Sequence, residues 1–253
     1  MNVLMHARQA RAPAPIPPKV AALAPGDAYA LQAAHEDAVL RVHGGRRIGT
    51  KLGGGTMDDL RKLGLRGPFR GPIFSAFRHV SPARLARADF FVCAVEAEIA
   101  VVLGRDLVGR DGLPPRAEVA AAIDAVLPAI EVADSRWSDF AQASAGAVLA
   151  DLGFAGAWVA GEPVRDWRGI DLAAVTVRLL GHGRELSAGV GMRAMGDPLL
   201  GVCHALAEMG PSGGFKAGDI ISTGTCTAPY MARAGDSLLA DFGPLGQVQL
   251  ELV

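Results

Sequence analysis

The sequence predicts a mixed α+β fold: a smaller helical N-terminal part leading into a rolled antiparallel β-sheet. Three observations carry this. Residues 28–42, AYALQAAHEDAVLRV, place apolar side chains at helical spacing. Residues 90–107, FFVCAVEAEIAVVLGRDL, form an apolar, β-branched run with the character of a buried strand. From Asp171 onward, short strand-like runs alternate with glycine turns at even spacing, the pattern of a closed or rolled antiparallel sheet.

Bulk properties narrow the class. With 253 residues, half of them hydrophobic and 20% charged, the chain can bury a sizeable core. A net charge of -1 and the lack of a long basic run argue against a nucleic-acid partner. The three cysteines, Cys93, Cys203 and Cys226, are scattered and odd in number, so they suggest neither a disulfide framework nor a zinc pattern. Arg8 and Arg11 precede APAPIPPKV, which lacks the apolar core of a secretory signal. No run approaches the ~18 apolar residues of a membrane span. A cytoplasmic protein with no membrane partner is expected. One integrated domain is expected, with an arm, helix and lysine loop over residues 1–80 and a β-roll over 81–253.

In chain order, the proline-rich residues 1–18 predict an extended arm. Asp27 is placed as the N-cap of the following helix, with His35 and Glu36 as ordinary polar positions on it. GGRRIGTKLGGGT, residues 44–56, reads as a short strand entering a glycine loop, where backbone can approach a ligand closely. The order of residues is not that of a phosphate loop. Lys51 in this stretch is a candidate anion anchor or proton-transfer group. Residues 57–65 read as a short helix, 67–80 as a loop and short strand, and 81–88 as a turn or helix with Pro82 at its start.

The strand at 90–107 carries Glu96 and Glu98. Side chains two apart on a strand share a face, so both carboxylates project together, with Ala97 opposed. Two unpaired buried carboxylates cost several kcal/mol or more. A hard divalent cation compensates them directly, since Mg²⁺ and Mn²⁺ prefer oxygen ligands; an exposed face or an arginine partner is the plainer alternative.

Residues 116–127 predict a helix ended by Pro128, followed by a second acid-bearing strand, AIEVADSRW, at 129–137. Glu131 and Asp134 are both candidates for a third carboxylate ligand. Arg136 is a candidate clamp on Asp134, or a structural pair. A small helix at 140–150, a turn at 151–154 and a strand at 157–161 follow. VTVRLLGHGRELSAGVG reads as a hairpin, and Asp197-Pro198 opens a helix to residue 209 with Cys203 and His204 in packing roles. Three strands with glycine turns complete the chain, at 216–225, 234–238 and 245–250.

Taken together, the words DAYALQ (27–32), GTKLG (49–53), EAEIAVVLGRDL (96–107), AIEVADSRW (129–137), MGDPL (195–199), KAGDIISTGT (216–225) and AGDSLLADFGPLG (234–246) resemble the 2-keto-4-pentenoate hydratase group of the fumarylacetoacetate hydrolase superfamily, in the family's order and nearly end to end. The resemblance implies an α+β fold around a rolled sheet with a metal at its mouth. It implies Mg²⁺ or Mn²⁺ held by Glu96, Glu98 and Glu131, with Asp134 as the alternative third ligand. It also implies Lys51 as the active-site lysine and Thr223, Gly224 and Thr225 as a substrate-facing loop. The implied reaction is addition of water to 2-hydroxypenta-2,4-dienoate-type substrates, giving 4-hydroxy-2-oxo acids in aromatic-compound degradation. Decarboxylation of a 2-oxo-enedioate such as 4-oxalocrotonate is the alternative, as is a weakly active partner subunit of such a complex. Arg70, Arg78 and His79 are candidates to meet a distal carboxylate, with Arg70 placed in the substrate site. A homo-oligomer is expected. Two words depart from the family's hydratases. The family's hydratases follow the Asp151 position with Asn and then Ser two residues later, where this chain runs Asp151-Leu152-Gly153-Phe154, and Ser75 and Ala76 stand where an acid is usual.

Overall fold

The computed structural model describes residues 3–253. In chain order it forms α1 (Val3–Ala10), α2 (Pro18–Ala21), α3 (Pro25–His43), β1 (Arg47–Gly53), α4 (Met57–Lys62), β2 (Phe69–Phe74), β3 (Arg78–Val80), β4 (Ala83–Leu85), β5 (Ala94–Leu103) and β6 (Leu107–Val108). Then come α5 (Arg116–Ala122), β7 (Ile123–Ala133), α6 (Ala145–Ala150), β8 (Ala155–Ala160), β9 (Thr176–Gly181), β10 (Arg184–Val190), α7 (Pro198–Met209), β11 (Gly214–Phe215), β12 (Ile220–Thr225), β13 (Tyr230–Met231), β14 (Ser237–Asp241) and β15 (Gln247–Leu252).

An eight-stranded sheet runs β2-β1-β12-β5-β7-β8-β3, with β13 added alongside β5. Its pairings are antiparallel except β1 with β12 and β3 with β8. A five-stranded sheet, β10-β9-β14-β15-β4, packs against it, and β11 pairs with β6. The larger sheet curls: Ile73 of β2 and Trp158 of β8 belong to one apolar cluster although four strands separate them in the sheet.

Strand β5 shows how alternation divides the two environments. Val95, Ala97, Ile99, Val101 and Leu103 face the main core, shared with Val177, Leu179, Leu238, Ala240, Val248 and Leu250 of the second sheet. Ala100 and Val102 face the concave side with Leu127, Ala129, Trp158 and Ala160. Glu96 and Glu98 have the same parity as Ala100, so the pleat aims both at the concave interior.

Several elements differ from expectation, each for a local reason. The N-terminal arm begins as helix α1, whose Leu4, Met5 and Ala7 are buried; the prolines lie beyond it. Residues 1 and 2 of that arm lie outside the described residues. Helix α3 starts at Pro25, and its N-cap is Ala24, with Asp27 in the first turn where a negative charge favours the helix dipole. Residues 81–88 give strand β4 and a 3₁₀ turn, because β4 adds in parallel to β15. The helix expected at 116–127 stops at Ala122, and β7 runs straight through Pro128. Pro128 is tolerated there because its carbonyl accepts from Gly161 N at 2.9 Å, just past the end of β8. Nitrogen and carbonyl of a strand residue face the same neighbour, so the missing N–H faces Gly161 beyond the end of β8 and the ladder to β5 loses nothing. Strand β12 joins the larger sheet, whereas β14 and β15 belong to the smaller one.

His35 is fully buried on α3 rather than an ordinary surface position. Its Nδ1 lies 3.3 Å from Ala150 O, and Nε2 has no hydrogen-bond partner. Burial, then the charges of Arg136 and Arg8, pushes its pKa down to about 2. The unfolded chain therefore takes up this proton first as pH falls below the ordinary value of about 6.5. Stability conferred by neutral His35 is complete above that value and is lost as pH falls through the window, by up to about 1.4 kcal/mol per pH unit. Thermal unfolding from pH 7 to pH 4 should show a shallower fall in Tm for His35→Asn than for wild type. Parallel curves would remove His35 from the acid response.

Candidate metal centre and active site

Register assembles the site from six strands. Glu96 of β5 lies opposite Glu131 of β7, which lies opposite Trp158 of β8. Glu98 lies opposite Ala129 on one side and Thr225 of β12 on the other. Lys51 of β1 is in register with Ser222 of β12 and with Gly71 of β2. All these side chains enter the concave interior. One carboxylate oxygen from each of Glu96, Glu98 and Glu131 comes within 4.8 Å of the others.

Glu98 and Glu131 are buried, as is Lys51, whose ammonium lies 2.9 Å from Glu131 Oε1. This contact is an ion pair; neither oxygen of Glu131 receives an aligned hydrogen bond. Ser222 Oγ donates to Glu98 Oε2 at 2.5 Å and accepts from Trp158 Nε1 at 3.1 Å. Gly71 is required beside Lys51: a Cβ there would lie 2.2 Å from the Leu152 carbonyl oxygen. A bulge between Ser222 and Thr225 interrupts β12, with Gly224 at φ 108°.

Electrostatics report an excess of negative charge. Burial raises the pKa of Glu96 to about 7, helped by Glu131 and opposed by Lys51 and Arg193. Glu98 is raised well above the carboxylate range by burial, then by Glu131 and Glu96. Glu131 is raised by burial and pulled back by Lys51. Burial pulls Lys51 down, but the charges of Glu131, Glu96 and Glu98 outweigh it and hold the ammonium above its ordinary pKa. One lysine thus faces three carboxylates. The all-oxygen donor set and the orphaned Glu131 oxygens fit a hard divalent cation.

A cavity of about 110 Å³ opens over Glu96, Glu98 and Lys51. Thr225 lines it, and Phe69, Gly153 and Phe154 form its apolar wall. Leu152, Gly153 and Phe154 all have positive φ (58°, 60° and 64°), so this wall is a strained turn.

The other sequence candidates sit elsewhere. Asp134 is turned away from the glutamates and accepts from the Val92 and Cys93 amides at 2.6 and 3.4 Å. Thr223 Oγ1 donates to Ile99 O at 2.7 Å. Arg70 does not reach the site. It pairs with Leu52 across the β1–β2 ladder, so it takes the opposite parity to Lys51. Its guanidinium stacks 4.5 Å from the Tyr29 ring centroid and lies 4.0 Å from Glu208. Arg78 and His79 lie on β3, the far edge strand. Arg136 clamps Asp151 rather than Asp134, through its Nε to Oδ1, its backbone N to Oδ2 at 2.8 Å and Nη2 to the Asp151 carbonyl at 2.7 Å.

Ser222 and Phe69 are site residues that the sequence reading did not single out. The signal for Ser222 was its place two residues before Gly224 on a strand, but its partner is set by non-local register. Ser222→Ala removes the hydrogen bond that orients Glu98, and a loss of about 10- to 100-fold in Mn²⁺ affinity is expected, measured by calorimetry. Unchanged affinity would reduce Ser222 to a packing residue.

Comparison with known proteins places the sequence and the fold. The family described as Fumarylacetoacetate (FAA) hydrolase C-terminal matches residues 70–253. A 2-keto-4-pentenoate hydratase from Paraburkholderia xenovorans (strain LB400) is 31% identical over 227 residues, covering 89% of this chain and 82% of the relative. A 4-oxalocrotonate decarboxylase from Pseudomonas putida is 29% identical over 213 residues, covering 83% and 79%. In fold, the chain is similar to the solved 4-oxalocrotonate decarboxylase from Pseudomonas putida G7, complexed with magnesium and adipate. The TM-score is 0.89 at 24% identity, with 99% of this chain and 94% of that one covered. Fold and sequence agree, and the chain belongs to the fumarylacetoacetate hydrolase family.

Proposed function

We propose that this protein is a Mg²⁺- or Mn²⁺-dependent hydro-lyase that adds water to 2-hydroxypenta-2,4-dienoate-type acids. The observation that carries the reading is the convergence of three glutamates, Glu98 and Glu131 buried and Glu96 partly so, on one point beside a buried lysine. Glu96, Glu98 and Glu131 would hold the cation. Bound there, it supplies Lewis-acid polarisation of a 2-oxo acid's carboxylate and C2 oxygen.

The chain's own groups have distinct parts. Lys51 remains an ammonium at neutral pH, so it acts as a donor, either pairing with the substrate carboxylate or delivering a proton. A proton delivered to C5 of the dienol, with loss of the 2-hydroxyl proton, gives the 2-oxo-3-enoate. Water then adds across C3 and C4, placing hydroxyl on C4 and hydrogen on C3. Thr225 lines the cavity with its hydroxyl donating to Thr227 O at 2.8 Å, and the Thr223 hydroxyl bonds Ile99, so Thr223, Gly224 and Thr225 would meet the substrate as a loop rather than through either resting hydroxyl. Phe69 and Phe154 exclude bulk water from the carbon chain.

Decarboxylation of a 2-oxo-enedioate is the second reading, favoured by the 29% identity to the Pseudomonas putida decarboxylase. A spectrophotometric assay with Mg²⁺ or Mn²⁺ separates the two. Loss of the 2-hydroxypenta-2,4-dienoate chromophore with formation of 4-hydroxy-2-oxopentanoate supports the hydratase. Turnover of 4-oxalocrotonate alone, with CO₂ released, supports the decarboxylase. No turnover of either would overturn both.

We further infer a cytoplasmic homo-oligomer acting as one integrated domain, with residues 1–80 supplying the arm, helix and lysine loop and residues 81–253 the metal-binding roll. Three buried free cysteines, Cys93, Cys203 and Cys226, suit a reducing compartment. Among the described residues, no helix is long and apolar enough to cross a membrane.

A further inference from the structure

A second cavity, of about 460 Å³, lies away from the Glu96–Glu98 cavity, between the C-terminal ends of α1 and α3, strand β3 and the segment 85–91. Its size is within the range of small-molecule sites. Phe77, Phe90 and Phe91 supply apolar wall, and His43 packs edge-on against Phe77 at 5.1 Å between ring centroids.

Three guanidinium groups and two carboxylates also line this cavity. The charges divide unevenly. Arg136 is neutralised by Asp151, and Arg11 pairs with Asp89 at 2.5 Å. Asp134 is engaged by the Val92 and Cys93 amides. Arg8 is left over. Among the described residues no carboxylate lies within ion-pair range of it, and its Nε is buried with no hydrogen-bond partner. The guanidinium carbon stands 5.9 Å from the Phe77 ring centroid, and the charges of Asp151 and Asp134 act on it only from beyond ion-pair range. Arg8 is half-buried with the like charge of Arg136 acting on it, and an anion in the cavity would offset both the burial of its Nε and that repulsion.

We propose that this cavity is a binding site for a small aromatic carboxylate, whose anionic end pairs with Arg8 and whose ring lies against Phe77 and His43. The guanidinium fork matches a carboxylate in two parallel hydrogen bonds, and the remaining wall is apolar and aromatic. The two histidines on the wall, His43 and His79, are neutral at pH 7, because burial lowers both pKa values, with Arg8 adding to the effect at His43. They therefore add polar edges and no charge.

The test is calorimetric titration of the full-length protein with benzoate and, separately, with its neutral isostere benzamide, both in chelator so that no cation in the glutamate site can recruit the carboxylate. Benzoate should bind at least 10-fold more tightly than benzamide. Arg8→Met keeps most of the apolar stem and should abolish that preference while leaving benzamide binding unchanged. Equal binding of the two probes to the wild type, or no benzoate binding at millimolar concentration, would overturn the proposal without recourse to the variant. Benzoate affinity unaltered by Arg8→Met, in a variant with unchanged Tm, would also overturn it.

Discussion

Glu98→Ala should abolish metal binding and turnover together. Glu98 is the most constrained of the three acids. It is 1% exposed, it lies at the bulge where β5 meets β12, and Ser222 fixes one of its oxygens at 2.5 Å. The alanine variant leaves two carboxylates, of which Glu131 is already paired with Lys51. The loss in Mn²⁺ affinity should therefore exceed the 10- to 100-fold that outer-shell changes typically bring. Removing one of three crowded carboxylates also relieves repulsion, since Glu131 and Glu96 are what drive the Glu98 pKa up beyond burial. Tm without metal should accordingly hold steady or rise. That combination, a site lost and a fold retained, distinguishes a ligand from a structural residue. Full activity of the variant in chelator would contradict the mechanism.

Asp151→Asn should be the most destabilising single change considered. Arg136 is 0% exposed, and Asp151 receives its Nε, its backbone N and the Ser135 hydroxyl. Asparagine keeps the shape but leaves the guanidinium charge buried and unpaired, with Arg8 adding like charge nearby. Breaking a buried pair from one side costs about 3–5 kcal/mol. For a chain of this size that corresponds to a fall in Tm of roughly 6–20 °C. The exposed pair Arg11–Asp89 provides the control, with side chains 68% and 54% exposed. Asp89→Asn should cost about 0–1 kcal/mol. Activity would suffer as well in Asp151→Asn, because Asp151 leads directly into the strained turn that walls the active-site cavity. Similar Tm changes in the two variants would show that burial does not govern the Arg136–Asp151 pair.

The sequence made one part of this site legible for a simple reason. The Glu96–Glu98 spacing is local, and a two-residue period on an apolar strand puts both acids on one face whatever the rest of the chain does. The helix opened by Asp197 was equally readable, and Asp197 Oδ1 does accept from Leu199 N at 2.7 Å. What could not be read was non-local. The stretch AEVAAAIDAV has helical composition, and Pro128 looks like a stop. Yet β5 pairs with the chain from Ile123 onward, and there ladder pairing outweighs propensity. Ser222 reaches Glu98, and Arg136 reaches Asp151, across 124 and 15 positions of sequence; no local pattern specifies either. Arg70 lies on the strand beside Lys51 but on the other face, because its parity is fixed by pairing with Leu52. Helix α1 escaped notice because the prolines that follow it dominate the composition of the arm.

The most direct measurement is an anomalous difference map from crystals soaked in Mn²⁺. A peak is expected among the carboxylates of Glu96, Glu98 and Glu131, with Lys51 moved off Glu131 and no peak at Asp134. The same map from Glu98→Ala crystals should be empty there. Manganese found elsewhere, or an unbroken Lys51–Glu131 pair with no density between the three glutamates, would contradict the metal-centred account.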